Sequence, residues 1–215
     1  MRYRAVIFDL DGTLLDTLCD LRAAVNFALA QEGFGQRTLD EVRSYVGSGA
    51  YVLFERALPG EARPRVEACV EAFKGYYSTH VNVYTRPYPG VPEMLERLRA
   101  AGIRTGVCSN KFDAAVRLLC EAHFGALLDD FAGEGVNMPK KPAPDGCRRL
   151  IEKWGTGRAE TLYAGDSDVD VQTARNAGLD CASVTWGFCP RTALQAAGAT
   201  RYFASADALA DYILA

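Results

Sequence analysis

Histidine is almost missing from this sequence: His80 and His123 are the two it has in 215 residues. They lie far apart and no nucleophile-elbow pattern accompanies them, so both are expected to be structural or solvent-facing. Cysteine is present but unpaired in pattern. Cys19, Cys69, Cys108, Cys120, Cys147, Cys181 and Cys189 are scattered without a Cys-x-x-Cys. An odd, dispersed set argues against a disulfide framework and against zinc, and reads mostly as small core residues in a reducing compartment. Long apolar runs are also lacking. Four consecutive apolar residues precede Asp9, too few for a signal peptide or a membrane span. Charge of one sign is lacking too: the net charge is −3, with acids and bases interspersed. Neither a nucleic-acid nor a membrane partner is expected from that balance. The expectation is a soluble, cytoplasmic protein, monomer or homodimer, with a core large enough to need no staples.

What is there begins at the N-terminus. The run Ala5-Val6-Ile7-Phe8 reads as a buried strand, and it delivers Asp9-Leu10-Asp11-Gly12-Thr13 at its end. Two carboxylates one residue apart at a strand's carboxyl edge repel each other and lose hydration. An oxygen-seeking divalent cation is the economical counter-charge.

The chain then divides by rhythm. Helices are expected over 16–31, from the capping box Thr38-Leu39-Asp40-Glu41, over 51–57 and over 61–80, with Val46-Gly47-Ser48-Gly49 as a flexible loop and no strand between Leu15 and Val81. Thr85-Arg86-Pro87-Tyr88-Pro89-Gly90 reads as a connector and hinge. Beyond it, helices at 91–101, 113–124, 145–154, 169–177 and 206–214 alternate with strands at 103–108, 161–164, 181–185 and 201–203. Such alternation predicts an α/β fold, a Rossmann-like parallel sheet with helices on both faces, interrupted early by an all-helical insert.

The core segments carry polar clusters at one rim. These are Asp9 and Asp11, then Ser109-Asn110-Lys111, then Lys140-Lys141-Pro142, then Gly165-Asp166-Ser167-Asp168-Val169-Asp170. Singly, each has a plain reading as a turn, a helix cap or solvated charge. Together, three acids suit a magnesium ion, while a lysine and a hydroxyl suit a phosphate.

In that order, Asp9-Leu10-Asp11-Gly12-Thr13-Leu14, Ser109-Asn110, Lys141-Pro142 and Gly165-Asp166-x-x-x-Asp170 resemble the four motifs of the haloacid dehalogenase superfamily, in particular its magnesium-dependent phosphatases. The resemblance spans nearly the whole chain. It implies Asp9 as the nucleophile that forms an aspartyl-phosphate, and Asp11 as the acid for the leaving oxygen and then the base for water. It also implies Ser109, Asn110 and Lys141 around the phosphoryl oxygens, with Asp11 beside them. Mg²⁺ would be held by Asp9, Asp11 through its carbonyl, and Asp166, with Asp170 bound to it or nearby. An acid at Asp11 disfavours dehalogenase and phosphonatase chemistry.

The same resemblance implies a C1-type helical cap over 16–85 on a core of 1–15 and 86–215. The stretch Arg43-Ser44-Tyr45-Val46-Gly47-Ser48-Gly49-Ala50 is similar to the cap loop of phosphoglycolate phosphatases. Gly47, Ser48 and Gly49 would approach an anionic substrate through the backbone, while Arg43 and Lys111 would pair with a substrate carboxylate. A small phosphorylated metabolite, 2-phosphoglycolate first, is the expected substrate. Pyrophosphate, sugar phosphates and nucleotides stand behind it, as do a phosphosugar mutase and, further off, a non-catalytic scaffold.

Overall fold

The computed structural model describes residues 2–135 and 138–215. Among these residues the elements run β1 (Ala5–Phe8), β2 (Leu15–Asp16), α1 (Leu18–Gln31), α2 (Leu39–Tyr45), α3 (Ala50–Ala57) and α4 (Val66–His80). Then come β3 (Arg86–Pro87), α5 (Val91–Ala100), β4 (Arg104–Phe112), α6 (Asp113–His123), β5 (Asp130–Glu134), α7 (Asp145–Trp154) and β6 (Thr161–Gly165). The chain closes with α8 (Asp168–Ala177), β7 (Asp180–Val184), α9 (Arg191–Ala196), β8 (Tyr202–Phe203) and α10 (Ala206–Leu214).

Six strands form one parallel sheet in the order β5-β4-β1-β6-β7-β8. All four side chains of β1 are buried, because it is central and covered on both faces. Its pleat sorts them. Ile7 packs with Cys147, Leu150 and Tyr163 beneath α7 and α8, while Val6 and Phe8 pack with Leu95, Leu119 and Ile213 beneath α5, α6 and α10. After β1 the chain builds β4 and β5 on one side, then crosses to β6, β7 and β8 on the other. The carboxyl end of β1 is therefore the switch point where open α/β sheets leave a crevice.

The helical segment leaves and rejoins this core through an antiparallel ribbon of β2 and β3, with Leu15 opposite Pro87 and Asp16 opposite Arg86. Asp20, buried near the start of α1, ties the return. Its carboxylate accepts from the amides of Val83, Tyr84 and Thr85 and from the Thr85 hydroxyl at 2.8–3.1 Å. Inside the segment α1 packs on α4, and the buried rings of Phe54, Phe73 and Tyr77 pack in series.

Four details differ from the sequence reading. The expected hinge at 85–90 is strand-paired at Arg86–Pro87, and Leu15–Asp16 is its short partner strand where a helix was expected from Asp16. β5 is an edge strand of Asp-Phe-Ala-Gly-Glu, a composition poor in strand formers that gave no signal. β4 continues past Cys108 to Phe112, its pairing with β5 shifting register between those residues, so Ser109, Asn110 and Lys111 ride on an irregular strand end and do not cap α6. α9 was not anticipated either. All seven cysteines are free, four of them buried. Among the described residues no helix is long and apolar enough to cross a membrane.

Candidate active site

Asp9 is the first residue past β1, and its amide bonds to the Ala164 carbonyl of β6 at 2.9 Å, so the strand's own pairing fixes it. Burial pushes its carboxyl up to about 7, against the pull of Lys141 and with added repulsion from Asp170 and Asp11. Lys141 Nζ lies 2.8 Å from Asp9 Oδ1 and 2.8 Å from Asp170 Oδ1. The first contact is an ion pair without hydrogen-bond alignment, and Asp9 Oδ1 is left with no aligned donor among the described residues.

Asp170, fully buried, is saturated. Its Oδ1 accepts from Lys141 and from the Tyr163 hydroxyl at 2.8 Å, and its Oδ2 accepts from the Ser167 amide at 3.0 Å and hydroxyl at 2.6 Å. Ser167 and Asp170 are also the capping box that starts α8. Asp170 thus aims Lys141 at Asp9, and the acidic helix start and the buried lysine are one device.

Asp166 sits at the end of β6. Thr13 Oγ1 donates to its Oδ1 at 3.2 Å and the Phe188 amide to its Oδ2 at 2.6 Å. Burial, then repulsion from Asp170 and Asp9, raises its carboxyl to about 8. The turn at Gly12 leaves no room for a side chain: a Cβ there would lie 2.4 Å from Asp166 Oδ2, and φ is +85°. Gly187 closes the other side, where a Cβ would fall 2.3 Å from the Gly12 carbonyl oxygen.

Asp9, Asp166 and Asp170 offer oxygens within 4.8 Å of one another. Three buried carboxylates share one ammonium, two of them are driven toward protonation, and one oxygen lacks an aligned donor. An all-oxygen set without histidine or thiolate fits a hard divalent cation of the magnesium type.

Asp11 is half-buried and points toward the helical segment. Thr17 Oγ1 donates to its Oδ1 at 2.6 Å, and Lys111 Nζ donates to its two oxygens at 2.9 and 3.1 Å. Ser109 is buried beside Asn110, and its hydroxyl accepts from the Lys111 amide at 3.3 Å. Asn110 works through its side chain. Its Oδ1 accepts from the Lys141 amide at 2.7 Å, while its Nδ2 donates to the Lys141 carbonyl at 3.1 Å and to the Gly47 carbonyl of the helical segment at 3.0 Å. One amide therefore fixes the lysine's backbone and docks the loop above it.

Asp9, Asp11, Ser109, Asn110, Lys111, Lys141 and Asp166 line a half-open cavity of about 70 Å³, with Gly47, Gly49, Leu53, Phe73 and Tyr77 as its roof, while Asp170 lies behind Lys141 and is not among the lining residues. Not every expected residue reaches it. Arg43 is exposed, pairs with Asp40 at 2.6 Å, and borders a separate surface depression with Tyr88 and Trp186. Ser48 is not among the cavity's lining residues, although Gly47 and Gly49 on either side are. Neither histidine lines it: His80 stacks on Tyr76 and His123 contacts Asn82. Residues that the sequence did not announce include Thr17, Tyr77, Tyr163, Gly187 and Phe188. Their chain neighbourhoods carry no motif signal, and only tertiary closure brings them in.

The family model for haloacid dehalogenase-like hydrolases matches residues 6–184. The chain belongs to that family. Among its relatives, the phosphoglycolate phosphatase of Cereibacter sphaeroides is 40% identical over 190 residues, 85% of each chain. That of Aquifex aeolicus is 33% identical over 186 residues, 86% of each. Of solved structures, a candidate phosphoglycolate phosphatase of Lactobacillus delbrueckii subsp. bulgaricus superposes with a TM-score of 0.92 at 35% identity over 99% of both chains. CbbY of Rhodobacter sphaeroides, in complex with phosphate, superposes at 0.74 with 27% identity over 96% of both.

Proposed function

We propose that this hydrolase removes the phosphoryl group from 2-phosphoglycolate, with Asp9 as nucleophile and Mg²⁺ as cofactor. The observation that carries the reading is Asp9 itself: a buried carboxylate at the sheet's switch point, faced by Lys141 and by Asp166, with one oxygen lacking an aligned donor. Curated relatives named phosphoglycolate phosphatase support the substrate.

Asp9 attacks phosphorus while the bond to the ester oxygen breaks, and Asp11 gives that oxygen a proton, releasing glycolate. Water then attacks the aspartyl-phosphate, Asp11 takes the water's proton, and phosphate leaves with Asp9 restored. Lys141, Ser109 and the backbone set by Asn110 hold the phosphoryl oxygens. Asp9, the Asp11 carbonyl and Asp166 would hold Mg²⁺, with Asp170 aiming Lys141 beside it. Bound there, the cation supplies neutralisation of the charge that gathers on the transferring group. The helical segment, 16–85, acts as a cap over the core of 1–15 and 86–215, excluding water from the cavity.

The test is phosphate release from 2-phosphoglycolate, pyrophosphate, glucose phosphates and a nucleoside monophosphate, with Mg²⁺ and with chelator. We expect 2-phosphoglycolate to lead by more than about tenfold in kcat/KM, a margin worth ~1.4 kcal/mol, and chelator to silence the reaction. A flat profile removes the substrate, and silence with metal present removes the phosphatase.

Metal linkage gives a second expected result. Asp9 and Asp166 hold protons up to about 7 and about 8 in the metal-free fold, so protons compete with the cation. The rise in melting temperature produced by millimolar Mg²⁺ is expected to grow from about pH 6 to about pH 8.5. A rise that shrinks over that range contradicts metal binding at this pair.

A further inference from the structure

Tyr77 is a buried residue of the helical segment with an unspent donor. Its ring is fixed, stacked on Phe73 at 5.2 Å and edge-on to Phe112 at 6.1 Å. Its hydroxyl is fully buried and has no hydrogen-bond partner among the described residues, and Tyr77 is one of the residues around the cavity. A buried hydroxyl without a partner costs stability, so a group that persists in that state is a candidate for completion by a ligand. Lys111 Nζ lies over the same ring, 4.6 Å from its centre, and is itself buried, with Asp11 as its carboxylate partner.

The cavity therefore has two cationic ends. Lys141 faces Asp9, where the phosphoryl group reacts. Lys111, with the free Tyr77 hydroxyl beside it, faces the roof. From this arrangement we infer that Tyr77 and Lys111 form the pocket for the substrate's second anionic group, a carboxylate, and that Tyr77 is a specificity-determining residue. The inference rests on the phosphatase reading and names what reads the non-reacting end.

A carboxylate matches the donors on offer: one oxygen for the ammonium and one for the phenol. Burial raises the Tyr77 hydroxyl's own titration beyond its ordinary 10, ahead of the opposing pull of Lys111, so it stays a donor across the working range. There is also a mechanical consequence. In the resting fold Lys111 and Thr17 occupy the oxygens of Asp11. A substrate carboxylate that draws Lys111 away vacates Asp11 on the side of the leaving oxygen. Recognition of the far end then clears the group that serves the near end.

The experiment compares wild type with Tyr77→Phe on 2-phosphoglycolate and on ethyl phosphate, which lacks the carboxylate. Phe keeps the ring and its packing and removes an unsatisfied hydroxyl, so the variant is expected to melt no lower than wild type. Losing a hydrogen bond to a charged group, KM for 2-phosphoglycolate should rise about tenfold or more, with kcat within about threefold and ethyl phosphate kinetics unchanged. A wild-type preference for 2-phosphoglycolate that survives intact in Tyr77→Phe overturns the Tyr77 assignment alone. A wild type that turns over both esters without preference overturns the carboxylate pocket while leaving the phosphatase. Equal damage to both substrates also overturns it, by making Tyr77 a general structural support.

Discussion

Replacing Asp9 with Asn is expected to reduce kcat by on the order of 10⁴- to 10⁶-fold, the scale of losing a covalent nucleophile, without lowering stability. The two halves of that outcome come from one fact. Asp9 is buried among carboxylates, with burial the main cause and Asp170 and Asp11 adding repulsion, and Lys141 only partly offsets them. An amide at this place keeps the shape and removes a charge that the fold accommodates at a cost. The linkage has a definite sign. A carboxyl raised from its ordinary 3.8 to about 7 favours the fold most at low pH, and that advantage is lost as pH rises through about 7. Asp9→Asn lacks this titration, so metal-free variant and wild type should converge in melting temperature near pH 4, and the variant should gain on wild type toward pH 8. Chemical denaturation without metal at several pH values checks it. A variant that grows relatively weaker as pH rises would mean that Asp9 is held as a well-paired anion, and the strain ascribed to the site would be wrong.

The residues that make this arrangement differ in how far the sequence exposes them. Asp9, Asp11, Asp166 and Asp170 stand out because strand, turn and acid follow one another in a few residues, whereas Lys141 stands out only through the likeness of Lys141-Pro142 to a family motif, and the switch-point position of β1 emerges only from the strand order. Tyr163 and Ser167 do not stand out. One reads as a buried strand residue and the other as a helix cap, and both are so, yet their hydroxyls also saturate Asp170. Tyr77 falls on the apolar stripe of α4, where a phenol and a phenylalanine give the same pattern. Asp20 resembles any acid in a first helical turn until the chain returns sixty residues later to present three amides to it. Arg43 shows the opposite failure. Its neighbourhood resembles a cap loop, but the helix turns its guanidinium to Asp40 and to solvent. Periodicity reports which face is buried; it does not report which polar atom across the fold that face will meet.

The contrast between Asp9 and its partner provides the other large effect. Lys141→Met is expected to lose both activity and stability, because Lys141 is the shared counter-ion of two buried acids at 2.8 Å each. Removing one partner of a buried ion pair leaves the other charge uncompensated, typically at ~3–5 kcal/mol. For a chain of this size that corresponds to a fall of about 10 °C in melting temperature. Removal of an electrostatic donor at the reacting centre should also cost ~10²–10³-fold in kcat. The deficit has its own pH signature. Asp9, whose carboxyl burial already raises to about 7, takes up a proton as the pH falls, so the stability gap between Lys141→Met and wild type should narrow below about pH 7 and widen above it. Asp170→Asn separates the roles. The Tyr163 and Ser167 hydroxyls can still bond to an amide, and Lys141 keeps Asp9, so its melting temperature should fall less than that of Lys141→Met. Its kcat should nevertheless drop, because the lysine is no longer aimed. If Lys141→Met melts with wild type at pH 8, the two acids have found their balance elsewhere, and the lysine is not the charge that holds this rim together.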